Sequence, residues 1–256
     1  MPSRPPQPAA TLRELAKQRR LPAHQVMDQG TLDWIAANPP PSLAAPSLPR
    51  PAVMLLPEVD WFADPRLADS IHGVRHNARV SWLATVLAMD QGLDGDDAAA
   101  LCMAAQVHDC RRLDDRDDGG HGQRAALWLL RNPDVATSAP GRDLPSGTLH
   151  RAAAAVALHD VSHEVFTQAQ HRTYRQFPHV IDLLKAADCL DRYRLPLRHW
   201  WPDLTRLRIP VPAWLPPVAH RLVVLSEQAA LDGESHQEAL QHASRALNLG
   251  PLEAGR

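Results

Sequence analysis

Apolar residues recur every three or four positions along most of the chain, and almost nowhere with the two-residue alternation of a half-buried strand. That period predicts helices over 70–90, 96–110, 120–131, 146–160, 178–192, 217–231 and 235–247, so the expected fold class is all-α. Punctuation residues agree with these ends. Asp96 or Asp97 can cap the second helix, Asn132 and Pro133 stop the third, Ser146 can cap the fourth, and Pro178 suits the first turn of the fifth.

Two shorter helical patterns precede them, TLRELAKQRRLP and TLDWIAANPP within residues 11–38, each opening on a threonine able to serve as an N-cap. The first faintly resembles the start of a helix-turn-helix, but the third helix that such a module needs for a core is missing. The pair reads as a helical arm. After it, PPPSLAAPSLPRP carries six prolines from Pro39 to Pro51 without periodicity, the composition of an extended linker. Residues 1–52 are therefore expected to form an N-terminal helical arm and Pro-rich linker, and 53–256 the main domain. The arm is separated in sequence from every candidate ligand below, so it is expected to be dispensable for the chemistry. The segment RLPLRHWWPDLTRLRIPVPAWLPP, residues 194–217, is rich in Pro and Trp and reads as an irregular loop able to form one wall of a pocket.

With 256 residues the chain is long enough for a substantial core. Cys102, Cys110 and Cys189 are an odd number with no C-x-x-C spacing, which points to neither a disulfide framework nor a thiolate zinc site and fits a reducing cytoplasm. The N-terminus shows no apolar signal region, and the longest apolar run, Ala152 to Leu158, is far short of the roughly 18 residues of a membrane span. A soluble cytoplasmic protein is expected, with no membrane partner. A formal charge of -2 supplies no global attraction for a nucleic-acid polymer.

Fourteen histidines change the picture, because five of them stand in tight spacings. In SIHGVRHNARV, His72 and His76 are four apart and share one helix face beside the stripe Ile71, Val74, Ala78, Trp82. In AAQVHDCRRLDD, His108 continues the stripe of Leu101 and Ala104 and is followed by Asp109, which needs a partner at the edge of that stripe. In LLKAADCLDRYR, Asp188 and Asp191 fall on the apolar face marked by Ile181 and Leu184. Carboxylates in an apolar seam call for a cation, or for a salt bridge from Lys185 or Arg192. Imidazole and carboxylate donors together suit a divalent ion of the Mn, Fe, Ni, Zn, Co or Mg group.

Taken in order, His76, then His108 with Asp109, then Asp188 resembles the H...HD...D signature of the HD superfamily of metal-dependent phosphohydrolases. HNARV is similar to the H-x-x-R-V opening of that family's first motif helix, and KAADCLDR to its K-x-A-D-R-L stretch. HGVRHNARV, HDCRRLDDRDDGGHGQRAA and AADCLDR also resemble a group of small bacterial HD proteins, over about residues 70–192. The resemblance implies an HD-domain-like helical bundle in which His76, His108, Asp109 and Asp188 hold a metal ion. It further implies that His121 and His159 can ligate a second ion, so one or two divalent metals per chain, with Asp109 bridging. His163 is a weaker candidate. CLDR departs from the usual R-L and removes an arginine beside Asp188. The chain lacks the G-Y-P of the cyclic di-GMP branch and the E-D of alarmone hydrolases.

The implied chemistry is hydrolysis of a phosphate ester or anhydride by a metal-activated water. The substrate is then a small phosphorylated molecule, a nucleotide among the candidates. Catalytic roles are expected for Asp109, for Arg112 and Lys185 in offsetting phosphoryl charge together with Arg111, and for Asp191 or His72 in proton transfer. Two other readings use the same ligands: an HD-type di-iron oxygenase, and a non-catalytic metal or nucleotide sensor. The oligomeric state is not legible.

Overall fold

The computed structural model describes residues 9–46, 52–93, 95–134, 147–249 and the backbone of 252–254. Two short helices, α1 (Leu12–Lys17) and α2 (Gln29–Ala36), precede a brief strand β1 (Met54–Leu56). The main helices are α3 (Val74–Asp90), α4 (Gly95–Val107), α5 (His121–Arg131), α6 (Thr148–Leu158), α7 (Gln168–Gln176), α8 (Pro178–Asp191), α9 (Leu215–Leu231) and α10 (His236–Leu247). Strand β2 (Leu252–Ala254) pairs in parallel with β1, Met54 opposite Leu252. The fold is all-α, and this three-residue pairing is the only sheet among the described residues. No described helix is long and apolar enough to cross a membrane.

Helix α3 is the axle of the bundle. The sequence marks one apolar stripe on it, but every residue from Val74 to Ala88 is buried. Helices α4 and α8 pack on it, α6 packs on α4 and α8, and α5 covers α6, while α9 lies against α3 and pairs with α10. Alanines dominate the inner faces: Ala100, Ala104 and Ala105 of α4, Ala152 and Ala155 of α6, and Ala186 and Ala187 of α8 are all fully buried. Side chains this small let helix backbones approach closely, so long polar side chains projecting from them can meet at one point. A helix buried all round must also satisfy its polar residues internally. Arg75, His76, Asn77, Arg79 and Ser81 of α3 are buried, and each has hydrogen-bond partners.

Several local expectations are corrected. Helix α3 starts at Val74 rather than 70, because Gly73 packs so tightly that a Cβ there would lie 2.1 Å from the Ala68 carbonyl oxygen. Helix α4 ends at Val107, which puts His108 and Asp109 in the turn just beyond it. Thr11 caps α1 in a capping box, but α2 is capped by Asp28, and Thr31 lies inside the helix, buried. Asp96 and Asp97 sit in the first turn of α4, and Gly147 precedes α6; Ser146 lies outside the described residues. Asn132 and Pro178 stand where expected, at the end of α5 and the start of α8. Residues 39–46 of the proline run are irregular, and 47–51 lie outside the described residues.

The arm docks on the main body. Leu12, Met27, Leu32 and Ile35 form a small core with Ile71, the residue before His72. Trp34 stacks at 5.1 Å from Trp201, and the Arg13 guanidinium lies 3.5 Å over the Trp34 ring. Backbone N–H groups tie the joint: that of Ile71 donates to the Gln25 carbonyl at 2.8 Å, and that of Gln25 to Asp115 Oδ2 at 2.8 Å. The expected independence of the arm therefore meets a direct connection to the histidine-bearing segment. Removing residues 1–51 takes away the arm's share of this core and exposes Ile71 and Trp201 on the main body, and burial of each such apolar side chain is worth about 1.5–3 kcal/mol before the entropy of ordering. A net loss of only about 2 kcal/mol lowers the melting temperature by about 4–8 °C. Scanning calorimetry of a chain beginning at Ala52 checks this, and an unchanged transition would show that the docking contributes nothing.

Candidate metal centre

Four helices and one turn aim their side chains at a common point. His76 comes from the first turn of α3, His108 and Asp109 from the turn after α4, His121 from the first residue of α5, His159 from the end of α6, and Asp188 from the last turn of α8. His76, His108 and Asp109 bring donor atoms within metal-binding distance of one another, and so do Asp109, His121 and His159. Nε2 of His76 lies 3.0 Å from Nε2 of His108, 3.5 Å from Asp109 Oδ2 and 3.4 Å from Asp188 Oδ1. On the other side, Asp109 Oδ1 lies 2.9 Å from His121 Nε2 and 3.4 Å from His159 Nε2, and those two nitrogens are 3.2 Å apart. Donors about 2.1 Å from a shared ion at angles between octahedral and tetrahedral are about 3.0–3.4 Å from each other. The observed spacings fit that requirement in both groups, and Asp109 divides its two oxygens between them.

The far ring nitrogens explain why the near ones are available. His108 Nδ1 meets the Ala105 carbonyl at 2.8 Å, His159 Nδ1 that of Val156 at 2.7 Å, and His121 Nδ1 that of Asp118 at 2.7 Å. His76 Nδ1 meets the Asp191 carboxylate at 2.8 Å. A carbonyl or carboxylate can only accept, so each Nδ1 carries a proton and Nε2 is the nitrogen that each ring turns toward the centre. Burial pushes His108 down to about 3, so this ring is neutral in ordinary conditions. Lone pairs 3.0 and 3.2 Å apart beside two carboxylates repel each other unless a proton or a cation lies between them. Burial alone would raise the Asp109 carboxyl, yet His121, Arg112 and His108 around it hold it well below the usual range. His121 would be lowered by burial, but Asp109 outweighs this and raises it. The donor set fits a borderline or hard divalent cation.

A buried shell holds these ligands. Asp191 is fully buried behind His76, and Arg79 grips it through Nε at 2.7 Å and Nη2 at 2.9 Å. Arg79 Nη1 continues to Glu227 Oε1 at 2.6 Å, and Glu227 Oε2 takes Arg75 Nε at 3.0 Å. Glu227 does not stand out in the sequence, and Arg79 appears there only as the arginine of HNARV, one turn after His76, with no role assigned to it. Asn77 accepts from the Asp109 N–H at 3.3 Å and so fixes the turn. Asp115 belongs to the run DDRDD, which suggests a solvated face, yet it is buried and takes His72 Nδ1 at 2.9 Å and Ser70 Oγ at 3.1 Å.

The glycine of HGQRAA has a steric reason. A Cβ on Gly122 would lie 2.5 Å from the Val156 carbonyl oxygen and 2.9 Å from His159 Nδ1. Gly122→Ala is expected to push α5 from α6 and part His121 from His159, lowering the metal content with the bundle still folded. Metal analysis of the dialysed variant, read beside its circular dichroism, checks this; unchanged metal content would refute the tight fit.

A cavity of about 860 Å³ opens beside the centre, lined by His159 and Asp188 among others. The Asp188 side chain is 28% exposed while those of His76, His108, Asp109, His121 and His159 are nearly closed off, so Asp188 is the face the centre shows to the cavity. The Pro/Trp-rich segment supplies one wall through His199, Trp201, Asp203 and Arg206. Lys185 lines the same cavity, gives two N–H bonds to the carbonyls of His159 and Val161, and is lowered by burial to about 8. Arg112 Nη1 lies 3.2 Å from His121 Nε2 and 3.5 Å from Asp109 Oδ2. Arg111 points elsewhere, to the Trp61 carbonyl and the Trp128 ring. Asp191 has both oxygens engaged and no exposure, so it positions His76 and does not reach the cavity. His163 is not among the converging donors; it pairs with Asp182 at 3.0 Å.

In comparisons with known proteins, the chain matches no family model, no curated protein and no solved structure.

Proposed function

We propose that the protein is a metal-dependent phosphohydrolase of the HD type, acting on a phosphate ester or anhydride. The observation that carries this reading is the division of the Asp109 carboxylate between two histidine groups, beside a polar cavity that His159 and Asp188 line. A divalent ion held by His76, His108, Asp109 and Asp188, with a second on His121 and His159, supplies Lewis acidity and lowers the pKa of water.

The chain's own groups do the rest. Asp188 faces the cavity and positions the reacting end of the substrate against the centre. Lys185 has three N–H donors and spends two on carbonyls, so one remains for a phosphoryl oxygen. Arg112 borders Asp109 and His121 and offsets negative charge that develops there. The chain His76, Asp191, Arg79 fixes the ring of the first ligand and keeps its Nδ1 protonated.

The test is metal analysis of the purified protein, then a panel of phosphomonoesters, nucleotides and cyclic nucleotides with Mn, Ni, Co and Mg. Turnover is expected, and Arg112→Ala is expected to lower kcat/KM by about 10–100-fold while retaining metal. Metal-replete protein that is inert over the panel but consumes dioxygen with an organic substrate would replace this reading with an oxygenase. Metal binding with neither activity would make it a sensor.

A further inference from the structure

The cavity has a second pole away from the metal centre. His163, in the short turn His163–Val165, places Nε2 at 3.0 Å from Asp182 Oδ1, and the Tyr174 hydroxyl donates to Asp182 Oδ2 at 2.7 Å. Both carboxylate oxygens are thus committed, and the carboxylate cannot turn. Tyr174 is held in turn by the Arg208 guanidinium, 5.3 Å over its ring, and the His163 ring packs against Phe166 and Tyr174 at 5.0 and 5.2 Å. Such an arrangement fixes an imidazole in one orientation and one tautomer. Asp182 accepts, so the proton is on Nε2, and among the described residues no hydrogen bond engages Nδ1.

His163 and Asp182 line the same cavity as Asp188 and Lys185. The groups facing His163 are Asp182, Tyr174, Lys185 and Arg208, with Glu164 beside it in the turn. Burial and the cations Lys185 and Arg208 hold His163 below its ordinary value, so the ring is neutral near pH 7 and its Nδ1 is an acceptor. Spacing along α8 sets the reach. Asp182, Lys185 and Asp188 all meet the cavity, and six residues of helix span about 9 Å. The walls are polar and charged, with Val161 and Leu207 the only aliphatic side chains among the lining residues. Apart from the Trp201 ring, a lipid chain finds little apolar surface there.

We propose that His163, oriented by Asp182 and Tyr174, accepts a hydrogen bond from a substrate hydroxyl, so that the site selects a short hydroxylated phosphate of the sugar- or polyol-phosphate class. This rests on the phosphohydrolase reading for the position of the phosphoryl group. With that group at Asp188 and Lys185, the distance along α8 places His163 near the far hydroxyls of a pentose phosphate.

The experiment uses metal-loaded full-length protein and two probes, ribose 5-phosphate and p-nitrophenyl phosphate, which lacks hydroxyls. His163→Ala is expected to lower kcat/KM on ribose 5-phosphate about tenfold or more, chiefly through KM, and to change p-nitrophenyl phosphate by about twofold or less. His163→Gln, whose amide keeps an acceptor, should recover part of the loss. Equal losses on both probes, or none on ribose 5-phosphate, overturn the proposal. Calorimetric binding of ribose 5-phosphate separates it from the hydrolase reading. Binding that depends on His163 in a protein that hydrolyses neither probe sinks the hydrolase reading and keeps the selection. Hydrolysis of p-nitrophenyl phosphate with binding indifferent to His163 does the reverse, and neither binding nor hydrolysis removes both.

Discussion

Asp109→Ala is expected to abolish all hydrolysis and most of the thermal stabilisation that a divalent ion confers. Binding that favours the folded state adds RT ln(1 + [L]/Kd), about 2.7 kcal/mol when free metal is a hundredfold above its Kd. For a domain of this size each kcal/mol is worth about 2–4 °C, so metal should raise the wild-type transition by about 5–11 °C. Asp109 is the ligand with the greatest leverage because Oδ2 faces His76 and Oδ1 faces His121 and His159; its loss strips a donor and a negative charge from both groups. The chelated variant has two opposing changes. It loses the pairing with His121 at 2.9 Å, and it relieves the crowding of Asp109 against Asp188. The diagnostic quantity is therefore the metal-induced shift, measured by paired melting curves with and without Mn or Ni, and not the absolute transition of the chelated form. A full shift in Asp109→Ala would place the ion elsewhere and withdraw the proposed centre.

What could be read from the sequence followed physical scale. Helices with an apolar stripe, such as α5 and α10, were legible because burial of one face imposes a period. Helix α7 was not, since it buries no residue; a capping box at Thr167 forms its start instead. The β1–β2 pairing joins three-residue segments nearly two hundred positions apart, and a segment that short has no period. The converging ligands were legible because imidazoles and carboxylates on apolar faces are costly without a cation. Their support was not. Asp115 looks like its exposed neighbour Asp117 until the arm delivers Gln25 and the chain turn delivers His72 and Ser70. Arg79 appears only as a motif letter in HNARV, and its buried partners show once α3 proves to be covered on all sides. Asp191 read as a proton carrier because its partner, Arg79, lies 112 residues earlier.

That partnership is expected to carry a large stability effect. Arg79→Ala is expected to destabilise the fold by about 3–5 kcal/mol, because Asp191 and Glu227, both buried, lose the cation between them. The melting temperature should fall by about 6–20 °C. Arg79→Lys keeps the charge but not the planar fork that serves Asp191 through two nitrogens and Glu227 through the third, so it should recover only part of the loss. The pH dependence has a definite sign. Burial raises both carboxyls, but Arg79, with Arg75 at Glu227, overcomes it and holds both below the usual range. A folded pKa depressed below an unfolded value of about 4 means stability present above that pH and lost as acid titrates the folded groups. The wild-type protein should therefore lose stability on acidification more steeply than Arg79→Ala, in which the two carboxyls have no cation to hold them down. Asp191→Asn disturbs the ligand's support and its link to the fold together. One amide oxygen can still accept from His76, but the amide nitrogen then faces Arg79 Nε, donor against donor. That variant should lose about 10–100-fold in metal affinity, as expected when a ligand histidine loses its orienting carboxylate. Arg79→Ala that melts within about 2 °C of the wild type, which is under 1 kcal/mol for a domain of this size, would show that the buried carboxylates are answered elsewhere.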